Sequence, residues 1–207
     1  MSVATAELVR FCGTTPTPYV ATENVGVGWV HMFGTGAWIA YRRDDVEWCR
    51  RGDSSPILAL DVLDTLMTLP AGLEVPVAAV ARADRRLLRG LPPGSLDWSA
   101  TTVTRLVVPA LTPLLAVVRS TGWLDGLRAA SRFAAYCRRL VIVPAVPAER
   151  GTALAQAAVY GIGVAVADEA GDPQIVVEPE PLPPDWQPTP AFWWFTEEVY
   201  RQVRFSP

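Results

Sequence analysis

The chain has 207 residues, 50% apolar and 19% charged, enough for one domain with an appendage and a sizeable core. This composition excludes a disordered, charge-dominated protein, and a net charge of −3 excludes a global pull toward nucleic acid or acidic membrane. All 18 basic residues are arginine, which excludes a Schiff-base lysine, a P-loop lysine and the lysine of a metal-dependent nuclease.

Cys12, Cys49 and Cys137 lie far apart without a CxxC pair, and predict reduced thiols in a cytoplasmic protein. The lone His31 sits in a strand-like run beside Met32 and Phe33. It reads as a packed or rim residue, because no nucleophile points at it and no zinc motif accompanies it. Met1–Arg10 carries Glu7 and no apolar h-region, so no secretory leader is expected. The longest apolar stretches fall short of the ~20 residues that span a bilayer, so no membrane partner is expected.

In chain order, a short helix is predicted at Thr5–Cys12. Three strands follow at Val25–Phe33, Ala37–Arg43 and Val46–Arg50, with turns at Gly34-Thr35-Gly36 and Asp44-Asp45. Each run carries one tryptophan (Trp29, Trp38, Trp48), which fits aromatic cross-strand packing in a small antiparallel sheet. Asp53-Ser54-Ser55-Pro56 marks a helix start, and Leu58, Val62, Leu66 and Leu69 give that helix an apolar stripe until Pro70-Ala71-Gly72. Leu73–Ala81 reads as a strand that Pro76 places at an edge or a bulge, and Asp84–Leu91 as a short arginine-rich helix or turn.

Thr101–Val108 and Leu114–Arg119 read as strands, Trp123–Arg139 as a helix, Leu140–Pro144 as a buried strand and Ala148–Tyr160 as a helix. A buried strand at Gly163–Ala167 and a hairpin through Glu169–Asp172 to Gln174–Val177 complete the pattern. This alternation predicts an α/β layer with parallel strands, Leu140–Val143 beside Val164–Ala167. Six prolines within 179–190 predict an extended strap, followed by a terminal helix at Ala191–Val203.

One resemblance rests on Ala116-Val117-Val118-Arg119-Ser120-Thr121-Gly122-Trp123, the helix Leu127–Phe133 with Tyr136, Leu140–Pro144, and Gly161–Asp168. Residues 114–177 resemble the second half of a PD-(D/E)XK nuclease-like domain. The resemblance implies a restriction-endonuclease-like mixed sheet and a strand carrying Glu-x-Lys. Aligned on Trp123, Val117 occupies the position of the metal-binding Glu and Arg119 that of the Lys. Valine cannot coordinate Mg²⁺, and arginine is a poor proton acceptor at neutral pH. The preceding strand, Thr101–Val108, carries no carboxylate, and Asp97 just before it is the nearest substitute.

The fold class predicted is therefore α+β to α/β, in three stretches. Residues 1–52 form an antiparallel tryptophan-rich sheet, 53–178 a nuclease-like α/β domain, and 179–207 a proline-rich strap and helix. Three functions fit. The first is a catalytically inactive nuclease-like module that binds nucleic acid or scaffolds a complex, with Arg119, Arg128 and Arg132 on phosphate and no cofactor. The second is a metal-dependent phosphodiesterase with a migrated Mg²⁺ site at Asp61, Asp64 and Asp97. The third is a pure protein-interaction module that uses the tryptophan-rich sheet and presents Trp193 and Trp194 of the terminal helix to a partner, with no nucleic-acid role.

Overall fold

The computed structural model describes residues 25–43, 55–167 and 173–204. Expectations for Thr5–Cys12, Val46–Arg50, the cap residues Asp53 and Ser54, Cys12, Cys49 and the Glu169–Asp172 turn lie outside them. The described elements are β1 (Val25–Met32), β2 (Thr35–Arg42), α1 (Leu60–Met67), β3 (Glu74–Pro76), α2 (Arg82–Arg89), β4 (Leu96–Trp98), β5 (Thr102–Arg105) and β6 (Thr112–Arg119). They continue as α3 (Trp123–Ser131), β7 (Arg138–Val143), α4 (Arg150–Val159), β8 (Ile162–Ala167), β9 (Pro173–Val177) and α5 (Pro190–Arg204). The fold is mixed α+β. Its described residues fall into two compact units, one of 25–42, 113–167 and 173–186, the other of 43, 55–112 and 187–204.

The first unit is built on a six-stranded mixed sheet in the order β1-β2-β6-β7-β8-β9. Short, β-branched, almost continuously apolar strands make its centre. Val117 pairs with Leu140 and Val118 with Val141 across the parallel β6–β7 ladder, and Val141 pairs with Val164 across β7–β8. The expected parallel neighbours Leu140–Val143 and Val164–Ala167 are thus as the apolar alternation requires. β9 closes the edge antiparallel to β8 with a bulge at Val164/Ala165. The tryptophan-bearing hairpin is antiparallel as expected, with Trp29 opposite Trp38 at a ring separation of 5.3 Å. Its second strand continues into the main sheet beside β6. The turn is two residues, Phe33 (φ 53°) and Gly34 (φ 70°), the doubly left-handed geometry that matches strand twist.

The second unit packs α1, α2 and α5 with a three-stranded sheet in the order β3-β5-β4. Leu63, Leu66, Leu69, Leu88, Val103 and Trp193 form its core. Pro76 ends β3, an edge strand, where its missing N–H costs no ladder bond.

Several elements differ from expectation. The helix predicted from Pro56 starts at Leu60, because the Ile57 N–H is donated to Glu197 Oε2 at 3.0 Å and its side chain is drawn into the core. That helix belongs to the second unit, so the stretch expected as one α/β domain, 53–178, is divided between the two units. The helix predicted to Arg139 ends at Ser131 and tightens into turns whose N–H groups reach back three residues, as from Phe133 to Ala130 at 3.1 Å. Arg138 and Arg139 open a strand instead of closing a helix. Finally, β4 (Leu96–Trp98) is too short to carry a periodic signal and was not expected. No helix among the described residues is long and apolar enough to cross a membrane.

Candidate functional site

The β6–α3 junction holds the residues on which the nuclease resemblance rests. Ser120 shapes it: the hydroxyl donates to the Gly122 carbonyl at 2.8 Å, and the Ser120 N–H goes to Ile142 at 3.0 Å. Gly126 brings α3 onto the sheet, since a Cβ there would stand 2.6 Å from a Val141 methyl. Strand alternation then sorts the side chains. Val118 and Val141 face α3, whereas Val117 lies on the opposite face in a core cluster with Leu115, Leu140, Ile142 and Ala165. Val117 is 1% exposed, so this position offers no ligand to a metal. Arg119, two residues on, is exposed at the strand end and stands on the Val117 face by the same alternation.

The three predicted phosphate-binding arginines are therefore not one surface. Arg128 and Arg132 are exposed on α3, opposite the buried Leu127 and Ala130, while Arg119 is across the sheet. Arg128 pairs with Asp125 at 3.5 Å, both side chains largely solvated. Arg132 donates to the carbonyl of Phe33 in the β1–β2 turn. Phe33 in turn stacks on Tyr136 at 5.5 Å and meets Phe133 edge-on at 5.7 Å. Burial raises the Tyr136 hydroxyl pKa above its ordinary value. Arg138 makes two hydrogen bonds to the Pro179 carbonyl, tying the strap to β7. Burial lowers the Arg139 pKa from its ordinary value, opposed by the nearby Cys137 and Glu180.

The migrated-site residues do not assemble. Asp61 and Asp64 are exposed on α1, Asp97 is exposed on β4, and no three metal-ligating side chains come together among the described residues. Asp61 Oδ1 accepts the adjacent Val62 N–H at 2.9 Å. His31 is exposed on β1. Trp193 is 2% exposed, a core residue whose indole donates to Glu197 Oε1 at 3.0 Å and lies under Arg105 at 5.2 Å. Trp194 is half-buried against the same core. The pair docks on its own unit, so presentation of Trp193 to a partner is corrected: the apolar stripe of α5 that suggested it is the stripe that fills the core.

The strongest concentration of charge is elsewhere. Arg82, Arg85, Arg86 and Arg89 line a concavity of about 250 Å³ on α2. Their spacing puts four like-charge pairs at three or four residues' separation, each costing a helix about 0.2–0.5 kcal/mol. The Arg85 Nε is buried with no hydrogen-bond partner, and no carboxylate pairs with any of the four among the described residues. The signal was present in the sequence as Arg-x-x-Arg-Arg-x-x-Arg at helical spacing, but a helix start placed at Asp84 removed Arg82 from the face.

No family model, curated protein or solved structure matches the chain significantly.

Proposed function

We propose that the chain is a nuclease-like module without hydrolytic chemistry that binds nucleic acid or scaffolds a complex. The observation that carries this reading is Val117, sealed in the sheet core at the position where a metal-binding carboxylate would be needed. The parallel β6-α3-β7-α4-β8 succession around it is the pattern on which the resemblance rests. That Asp61, Asp64 and Asp97 join no group of three metal-ligating side chains among the described residues weighs against the migrated-site alternative, and the buried Trp193 weighs against the terminal-helix part of the pure interaction module. A cytoplasmic location is part of this reading, from three cysteines that lie far apart without a CxxC pair. On this reading Arg128 is the α3 residue best placed for phosphate, with Arg132 beside it and Arg119 contacting only from the other sheet face.

The test pairs two measurements on the full chain. Incubation of DNA and RNA with Mg²⁺ or Mn²⁺ is expected to leave both intact. Fluorescence anisotropy on a short duplex across a salt series is expected to show binding that Arg128→Gln weakens, flattening the log–log salt slope by about 0.9. Cleavage that disappears in Asp61→Ala or Asp97→Ala would overturn the non-hydrolytic part. Absence of binding at low salt would overturn the nucleic-acid part.

A further inference from the structure

We propose that α2 carries a phosphate-binding row, formed by Arg82, Arg85, Arg86 and Arg89, that takes consecutive phosphates of a polyanion. This goes beyond the reading above and does not depend on it, because α2 belongs to the other unit and shares no residue with the α3 face.

At 100° per residue the four arginines fall within one arc of about 100°, while Asp84 projects from the opposite side and Leu88 is buried. Arg82 to Arg89 spans about 10.5 Å of helix axis, the reach of roughly three charges along one nucleic-acid strand. The row lines a concavity. A concavity of about 250 Å³ falls below the range of ~300–1,000 Å³ that encloses an organic ligand. The fit is to phosphate groups, without recognition of a base or a ring.

The row does not serve the helix that bears it. Arg86 and Arg89 lie in the last turn, where the helix dipole favours cations, but Arg82 lies in the first turn, where it disfavours them. Arg89 is exposed and stands over the Trp98 ring at 5.7 Å. The buried Arg85 Nε–H has no hydrogen-bond partner among the described residues, so this donor is not committed to the fold. Guanidiniums are also the cations best matched to bidentate phosphate recognition.

The same chemistry has two sources, a nucleic-acid strand or a free oligophosphate, and the experiment separates them. The full chain is titrated with a labelled single-stranded oligonucleotide across a salt series, with inorganic tripolyphosphate as a second probe. Arg82→Gln/Arg86→Gln changes two exposed positions, with thermal melting as the control for folding, and Arg85→Gln is a second variant. The double variant is expected to flatten the salt slope by about 1.4 for a single strand and to abolish the tripolyphosphate-induced rise in Tm. Strand binding that tripolyphosphate displaces only weakly identifies nucleic acid as the source, and tripolyphosphate binding without strand binding identifies the free oligophosphate. Either supports the site. Unchanged slope and unchanged Tm response in both variants, or no binding of either probe at low salt, overturns it. Loss of strand binding in Arg128→Gln alone, with α2 variants unaffected, overturns this inference while leaving the α3 reading intact.

Discussion

The Arg132 guanidinium donates to the backbone carbonyl of Phe33, 99 residues away in sequence, and so holds the β1–β2 turn to the end of α3. Phe33 has φ 53°, a left-handed conformation that is uncommon outside glycine, so the turn needs external support. The ring supplies part of it through Tyr136 and Phe133, and Arg132 supplies the rest. Arg132→Ala is therefore expected to destabilise the fold by roughly 0.5–1.5 kcal/mol, while Arg128→Ala, which loses only a solvated ion pair, changes it by less than about 0.5 kcal/mol. Urea denaturation of the two variants side by side decides it, and equal effects would remove the structural role assigned to Arg132.

Glu197 anchors the second unit. It is fully buried, accepting the Ile57 N–H on one oxygen and the Trp193 indole N–H on the other, each at 3.0 Å. Glu197→Leu orphans both donors and is expected to cost roughly 2–6 kcal/mol, at about 1–3 kcal/mol per unsatisfied group. Glu197→Gln keeps one acceptor oxygen and is expected to cost about half as much. A Leu variant with the wild-type urea midpoint would show that these bonds do not hold the start of α1 in place.

These two anchors also show what the sequence could not disclose. Strand and helix types were legible wherever local pattern decides them: β-branched runs gave β6, β7 and β8, and the proline-rich stretch gave the approach to α5. Helix ends were not, because Ile57 yields its N–H to Glu197, 140 residues away, and Phe133 is fixed by Phe33. Both pairings are long-range and leave no periodic trace. The candidate site failed for a related reason. Arg119, Arg128 and Arg132 are neighbours in sequence, yet the sheet separates Arg119 from the other two. Trp193 is a core residue on an amphipathic helix, and an exposed aromatic stripe and a buried one are indistinguishable in sequence. The α2 row was legible as spacing and missed by a boundary error of two residues.

Restoring the family's residue at Val117 is expected to fail. The side chain is 1% exposed among Leu115, Leu140, Ile142 and Ala165, with no polar partner in that cluster. Val117→Glu is expected to destabilise by roughly 3–5 kcal/mol, the scale of an uncompensated buried charge. Combined with Arg119→Lys it should yield a poorly folded protein and no Mg²⁺-dependent cleavage. A stably folded double variant that cuts DNA would mean that this face opens to solvent and metal.

Gly126 predicts a coupled pair. Alanine there gains up to about 1 kcal/mol of helix propensity. Its Cβ, however, would stand 2.6 Å from the Val141 Cγ2 and 3.0 Å from the Ser120 Cβ, and Val141 is fully buried between neighbouring strands. Overpacking of this kind costs about 1–3 kcal/mol, so Gly126→Ala is expected to lower stability by roughly 1–2 kcal/mol. In Gly126→Ala/Val141→Ala the overlapping methyl is gone, and the losses should sum to less than the two single effects. Strict additivity in a thermal-melting cycle would show that the helix shifts to accommodate the methyl.

The last prediction concerns pH and the exposed side of α5. Arg201 hydrogen-bonds both oxygens of Glu198, with its Nε at 2.8 Å, and Gln202 adds a bond at 2.7 Å. The Arg201 hydrogen bond is the largest cause holding the Glu198 pKa below its ordinary value. Burial works against it, and the Gln202 bond adds to it. With a folded pKa below the unfolded carboxyl value of about 4.3, the folded state binds fewer protons between the two values. The stabilisation is thus fully present above pH ~4.3 and is lost as the pH falls through the lower, folded value. Arg201 is half exposed, so solvent screening limits the contribution to at most ~1 kcal/mol. Arg201→Gln is expected to lower stability by that amount at pH 7, with the difference from wild type narrowing as the pH falls below the unfolded carboxyl value of about 4.3 and lost once it has passed through the lower, folded value. Raising the salt to about 0.5 M should narrow the gap at neutral pH as well, since Arg201 is half exposed. Urea midpoints measured for both proteins from pH 7 to pH 2 test this. A gap that stays constant to the acid limit would assign the Arg201 effect to packing of its side chain instead of to the charge of Glu198.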